Sequence, residues 1–234
     1  MGYLCPQPVV GHGALILSTM MHRWMNACRA PRRRSLAALA LAAAIAMPVA
    51  TAEAQTDPAT ASIRVFYDAL LDTMKHAKEL GLQGRYDKLA PAIRAAYDLP
   101  AMTRIAVGPS WPSIPPEQQA ALVDSFARMT IATYANRFDG YAGERFEVDP
   151  APEPRGANRI VRTKVIKTNG EPVTLNYLMH GSGDNWKIID VYLSGTISEL
   201  ATRRSEFGTI LKSGGPKALV DALRERGEKL LKSG

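Results

Sequence analysis

The sequence predicts an α+β domain: a curved antiparallel sheet of about four strands, covered by about six helices and enclosing an apolar cavity. Three observations predict it. Apolar residues recur at helical spacing from residue 58 to about 138, the period drops to two between residues 145 and 193, and helical spacing returns from about residue 197. Glycine-rich turns separate the segments of period two, as hairpins require.

Ahead of this domain stands a leader. Arg32, Arg33 and Arg34, the apolar run from Leu36 to Val49, and Ala52-Glu53-Ala54 are the three parts of a secretory signal peptide: basic start, apolar middle and small-x-small cleavage site. A run of about 14 residues falls short of the roughly 20 that span a bilayer, so cleavage after Ala54 is expected in place of anchoring. The paired arginines before Ser35 and Leu36 also fit a twin-arginine signal, and Met21 and Met25 are alternative starts. Residues 1–54 are therefore read as an N-terminal extension and cleaved signal, and residues 55–234 as a single domain.

Removing the leader changes the charge. Five of the 29 Lys+Arg (Arg23, Arg29, Arg32, Arg33, Arg34) and one of the 22 Asp+Glu (Glu53) go with it, leaving 24 against 21, or +3 where the whole chain has +7. That small excess withdraws the argument for a nucleic-acid partner. Cys5 and Cys28 also precede the cleavage site, so no disulfide supports the domain. A core alone must do so, and 180 residues suffice to bury about 70% of the unfolded surface.

The first helix opens on Asp57-Pro58, an N-cap followed by proline at the first helical position. Ile63, Phe66, Tyr67, Leu70, Leu71 and Met74 share one of its faces, and Gly81 ends it. Tyr86, Leu89, Ile93 and Tyr97 pattern a second helix over 85–97; Asp98-Leu99-Pro100 starts a short third that stops at Gly108-Pro109, before Trp111 on a proline-flanked loop. The longest helix runs from Pro115-Pro116-Glu117 to about Phe138, with a wide apolar arc that includes Phe126, Met129 and Tyr134. Strands are expected over 145–149, 159–167, 173–180 and 186–193, joined by turns at Asn169-Gly170 and Gly181-Ser182-Gly183-Asp184. Helices over 197–211 and 216–231 close the chain.

One strand departs from the half-wet pattern. In Asp184–Gly195, simple alternation puts Trp186, Ile188, Asp190 and Tyr192 on one face and Ile189, Val191 and Leu193 on the other, so both faces are apolar. Such a strand either lies between two layers or walls an apolar hole. Val161, Thr163 and Val165 alternate on the second strand, and Val173, Leu175, Tyr177 and Met179 on the third, whereas Arg162 and Lys164 show that the sheet has a wet side. Trp111, Phe126, Met129 and Tyr134 from the helical half, with Val161, Val165, Val173, Leu175, Tyr177, Met179, Val191 and Leu193 from the sheet, are the expected cavity lining.

Reactive constellations are scarce. After the leader the only histidines are His76 and His180, on separate elements, which does not make a metal site. Asp68, Asp72 and His76 recur every four residues, as a solvated helix face does. Ser182 is flanked by glycines at one residue, not two, and so is a turn residue and not a nucleophile elbow. Asp190 is the one catalytic candidate, a carboxylate that could act as a base inside a cavity. A ligand-free adaptor docking through Arg203, Arg204 and Lys212 is a further alternative.

The segment Asn185–Gly195, followed by Ile197-Ser-Glu-Leu200, Arg204-Ser-Glu-Phe207, Gly215 and Leu219–Leu223, resembles the toluene-tolerance, or Mla-type, periplasmic lipid-carrier family. Asp98-Leu-Pro100, Gly108, Trp111, Glu117-Gln118 and Thr133-Tyr-Ala135 resemble its helical half in the same order, so the likeness covers residues 60–231. Thr130–Phe138, Gly143–Phe146 and Ala201–Phe207 are most similar to the hopanoid-biosynthesis-associated branch; Thr202-Arg203 stands where phospholipid carriers more often have Asn-Tyr. The resemblance implies a non-enzymatic periplasmic shuttle without a cofactor, carrying a hopanoid or a phospholipid. Its implied partners are an inner-membrane lipid transporter complex of ABC type and an outer-membrane lipoprotein or porin complex. Intact-mass and N-terminal analysis of the exported protein should give Gln55 as its first residue; retention of the 36–49 run would overturn the cleavage reading.

Overall fold

The computed structural model describes residues 56–233, so the leader and the alternative starts lie outside the described residues. The elements are α1 (Pro58–Lys75), α2 (Ala77–Ala96), α3 (Leu99–Val107), a 3-10 helix (Gly108–Ser113), α4 (Pro116–Arg137), β1 (Arg145–Val148), β2 (Glu153–Arg155), β3 (Asn158–Ile166), β4 (Pro172–Ser182), β5 (Asn185–Leu193), β6 (Ile197–Ser198) and α5 (Glu199–Lys232). The α+β class and the order helices, sheet, helix agree with the sequence reading.

Two numbers differ from it. The sheet among the described residues has six strands, not about four. The additional ones, β2 and β6, are three and two residues long, too short to show any period. Among the described residues five α-helices stand where six were expected, because the two C-terminal helices join into α5 and bend at Gly215, whose φ of 69° is left-handed. Gly81, read as the end of the first helix, is likewise a kink within α2, with φ of 58°.

Short-range chemistry explains the helix starts. Asp57 caps α1 by accepting from the Ala59 amide at 2.9 Å, and Asp98 caps α3 by accepting from the Ala101 amide at 2.9 Å. Buried Arg85 donates to the carbonyls of Ala135 at 2.8 Å and Ala77 at 3.1 Å. Its guanidinium thereby ties the kink of α2 to the last turn of α4, where carbonyls lack helical partners.

The strands run antiparallel in the order β1-β3-β4-β5-β6, with β2 also pairing to β3. Directly opposed residues share a face. In register, Phe146 opposes Val165, which opposes Val173; Val148 opposes Thr163, which opposes Leu175; and Val161 opposes Tyr177. Leu175 then meets Leu193 and Tyr177 meets Val191, but beyond a register shift at Leu178/Met179 it is Ile188 that meets Met179 and Trp186 that meets Gly181. Ile189 is the extra residue of a β-bulge. Alternation reverses across it, so Trp186, Ile188, Val191 and Leu193 all lie on the inner, helix-facing side. Simple alternation had placed Asp190 with Trp186 and Ile188; the bulge puts it with Tyr192 on the opposite face instead.

The helices cover the inner face. Tyr67 of α1 packs its ring against Phe146 and Tyr177, and the same helix carries Ile63, Phe66 and Leu70 in the core. The chain leaving α2 joins the sheet itself: Tyr97 forms a parallel bridge with Ile188, and the Asp98 amide donates to the Ile188 carbonyl at 2.9 Å.

The β4–β5 turn has no room for a side chain at Gly181, where an added Cβ would lie 2.0 Å from the Asn185 oxygen and 2.8 Å from Trp186 Cα. Gly181→Ala should destabilise the fold by about 3 kcal/mol, seen as a drop in Tm of roughly 6–12 °C. Gly208→Ala, with nothing within 4 Å of the added carbon in α5, should instead raise stability by up to about 1 kcal/mol.

Candidate functional site: an apolar inner sheet face

Hydrophobic burial grades along the inner face. At one end Val161, Tyr177, Met179, Ile188 and Val191 are buried under the helices. That end is closed at its rim by Arg159, which lies 4.3 Å from the centre of the Trp186 ring and also pairs with the capping carboxylate of Asp57. At the other end Phe146, Val165, Val173, Leu175 and Leu193 are only half-buried. Tyr134 and Phe138, stacked at 5.5 Å on α4 and the residue after it, are half-buried too and reach this face through Phe66 and Tyr67. The result is an apolar seam between sheet and helices, or trough, packed at one end and half-buried at the other.

Of the residues expected to line a cavity, Val161, Val165, Val173, Leu175, Tyr177, Met179, Val191 and Leu193 share this one face, and Tyr134 joins them through its edge-on contact with Phe66, at 5.6 Å between ring centres. Phe126 and Met129 lie elsewhere, between α4 and α5: Phe126 meets Phe207 edge-on at 6.2 Å, and the Met129 backbone passes close to Gly227. Trp111 is half-buried on the 3-10 helix, where its carbonyl accepts from Gln119 at 3.0 Å. Phe66, Tyr67, Phe138 and Phe146 were not in the expected lining. Adjacent aromatics on the core stripe of α1 were the available signal for the first two.

Polar groups in the trough are phenols and one threonine. Tyr67 Oη contacts Thr163 Oγ1 at 2.6 Å and Tyr177 Oη at 3.1 Å, and Tyr97 Oη contacts Tyr134 Oη. Burial pushes the Tyr67 hydroxyl up to about 12 against the lowering effect of its hydrogen bonds. Desolvation raises Tyr97, Tyr134 and Tyr177 further still. All four are neutral O–H groups at any physiological pH.

Asp190 is committed elsewhere. Its Oδ1 accepts from the amides of Val191 at 2.8 Å and Leu200 at 3.1 Å, while Oδ2 accepts from the Ser198 hydroxyl at 2.5 Å. Buried between β5 and the start of α5, it holds that helix terminus, where anionic oxygen is favoured. A cavity of about 440 Å³ opens beside it, lined by Ile105, Leu200, Ala201, Arg204 and Ser205 among others. This hollow is an open groove between α3 and α5, set apart from the trough.

The remaining candidates fall on surfaces. Asp72 pairs with Lys88 across α1 and α2 at 2.6 Å, which lowers its pKa, and also with His76. His180 contacts Asn158 at 2.7 Å on a neighbouring strand. Arg203 is tied to Glu199 and Glu206 on its own helix.

A helical layer laid over the apolar inner face of an antiparallel sheet, half-buried at one end, defines a class of α+β domain built around an apolar interior. Within that class the family is specific: the model of the MlaC protein family matches residues 64–225, and the chain belongs to that family. It is also 30% identical, over 80 residues, to the toluene tolerance protein ttg2D of Pseudomonas putida. That match spans 34% of this chain and only 37% of the relative. A solved structure from Ralstonia solanacearum, a phospholipid-binding protein in complex with a phospholipid, is 30% identical with a TM-score of 0.65, over 74% of this chain and 98% of that one.

Asp190→Ala removes three accepted hydrogen bonds from a buried helix terminus. Urea unfolding should show a loss of about 2–3 kcal/mol; an unchanged midpoint would overturn the capping role.

Proposed function

We propose that this protein is a periplasmic lipid carrier whose ligand occupies the trough between the helices and the inner sheet face. One observation carries the reading: the bulge at Ile189 brings four β5 side chains into line with those of β4 and β3, so that one apolar surface runs across the sheet and stays half-exposed at one end. Membership of the MlaC family and likeness to a phospholipid-binding structure support it. A lipid leaving a membrane exposes its tails at about 0.8 kcal/mol per CH₂, or roughly 12 kcal/mol for a chain of some sixteen carbons. An apolar trough offsets that cost, and no catalytic group is needed for the task.

The cargo is a hopanoid or a phospholipid. It moves between the inner and outer membranes, received from or delivered to an inner-membrane ABC-type transporter complex and an outer-membrane lipoprotein or porin complex. Tyr134, Val161, Val165, Val173, Leu175, Tyr177, Met179, Val191 and Leu193 contact it. Tyr67, Phe138 and Phe146 belong to the same wall.

Solvent extraction of protein purified without detergent, followed by mass spectrometry, should release a stoichiometric lipid. Val173→Trp and Leu175→Trp, which fill the half-buried end of the trough, should reduce the bound lipid about tenfold or more while circular dichroism stays unchanged. A clean extract together with no uptake from vesicles would sink the carrier reading. Uptake that survives both substitutions would move the ligand away from this face.

A further inference from the structure

Five hydroxyls meet inside the trough: Tyr67 from α1, Tyr97 from the end of α2, Tyr134 from α4, Thr163 from β3 and Tyr177 from β4. Their neighbours are Phe66, Val161 and Met179, all buried. A purely hydrocarbon interior has no use for oxygen at these positions. Phe66, which packs edge-on to both Tyr97 and Tyr134, shows that a ring without a hydroxyl suits this cluster.

Counting protons shows what the hydroxyls leave undone. Each carries one proton and each proton serves one bond. Thr163 donates to the Leu175 carbonyl. Tyr67 donates to the Tyr177 oxygen at 3.1 Å, and its own oxygen lies 2.6 Å from Thr163 Oγ1. The Tyr177 proton then has no acceptor among the described residues and stands at the head of the group as an unused donor. In the second group, Tyr97 and Tyr134 share one contact but own two protons, so one O–H is an unused donor. Tyr134 is half-buried as a residue, while its hydroxyl is desolvated beside that of buried Tyr97.

We propose that these tyrosines form a polar anchor inside the trough, which selects lipids carrying a hydroxyl on the inserted portion over lipids with plain acyl chains. The selection rests on the carrier reading above and names its ligand class more closely. A ligand hydroxyl oxygen accepts, so it answers either the Tyr177 proton or the spare Tyr97/Tyr134 proton; a methylene answers neither. Sites that hydrogen-bond a ligand hydroxyl discriminate against the analogue lacking it, because their own polar groups are then left unpaired.

The test offers the exported protein, stripped of lipid, equimolar vesicles of phosphatidylcholine with stearoyl, 12-hydroxystearoyl or terminally hydroxylated chains. Mass spectrometry of the reisolated protein then gives the loading ratios. Wild type should favour one of the hydroxylated lipids by about tenfold. The Tyr134→Phe/Tyr177→Phe double variant should bring the ratio to within about twofold of one, whatever its total loading. Equal loading of all three lipids by wild type overturns the anchor yet leaves the carrier intact. So does a preference that persists in a folded double variant. If wild type loads no lipid at all, the carrier reading fails and the anchor with it. Should the double variant not fold, the wild-type ratio alone decides.

Discussion

Everything around the inner face depends on the extra residue at Ile189. A strand that alternates without interruption can present only every second side chain to the helices. By inserting one residue, β5 keeps Trp186 and Ile188 inward before the bulge and Val191 and Leu193 inward after it, and releases Asp190 to the other side. The same short stretch then does two further jobs. The Ile188 carbonyl takes the Asp98 amide, fixing the start of α3 to the sheet, and the Asp190 carboxylate takes the amide of Leu200, fixing the start of α5. One backbone irregularity thus positions the inner face and anchors the helices on either side of it.

With no cysteine after Cys28, the fold of the described residues relies on packing and satisfied polar groups. The packed end of the trough supplies both: Arg159 joins the Asp57 cap to the Trp186 ring, and Ser62 donates to the Trp186 carbonyl at 3.0 Å. Toward Val165, Val173 and Leu193 the side chains are half-buried, so packing there is less complete. The proposed carrier function needs this asymmetry. One end must stay folded while the other accepts and releases a chain whose transfer from membrane to water is costly.

Chemistry inside the trough is restricted to neutral hydroxyls. Burial raises the four tyrosines so far that ionisation plays no part at physiological pH, and the one candidate catalytic carboxylate is bound to a helix terminus. The groove beside that carboxylate is lined by Ile105 and Arg204 and belongs to the outer surface of α3 and α5.

The order of elements was legible in the sequence, because caps such as Asp57-Pro58 and Asp98-Leu99-Pro100 and the change of period after Gly140 are local signals. So was the identity of one sheet face, since Val161, Thr163 and Val165 alternate with arginine and lysine. The double-sided apolar pattern of β5 was visible too, but its cause was not: two faces and one face broken by a bulge produce the same letters. The short strands β2 and β6 and the joining of the last two helices across Gly215 also escaped, as three or two residues show no period and a glycine marks a kink as readily as an end. By itself the sequence determined where helices and strands lie and which side chains avoid water, because those depend on neighbours within a few residues. Only the tertiary structure decided which way Asp190 points, which of the wide α4 arc faces the sheet, and that five hydroxyls meet in one place. These follow from strand register and helix docking, contacts between residues roughly 40 to 110 positions apart that no local pattern encodes.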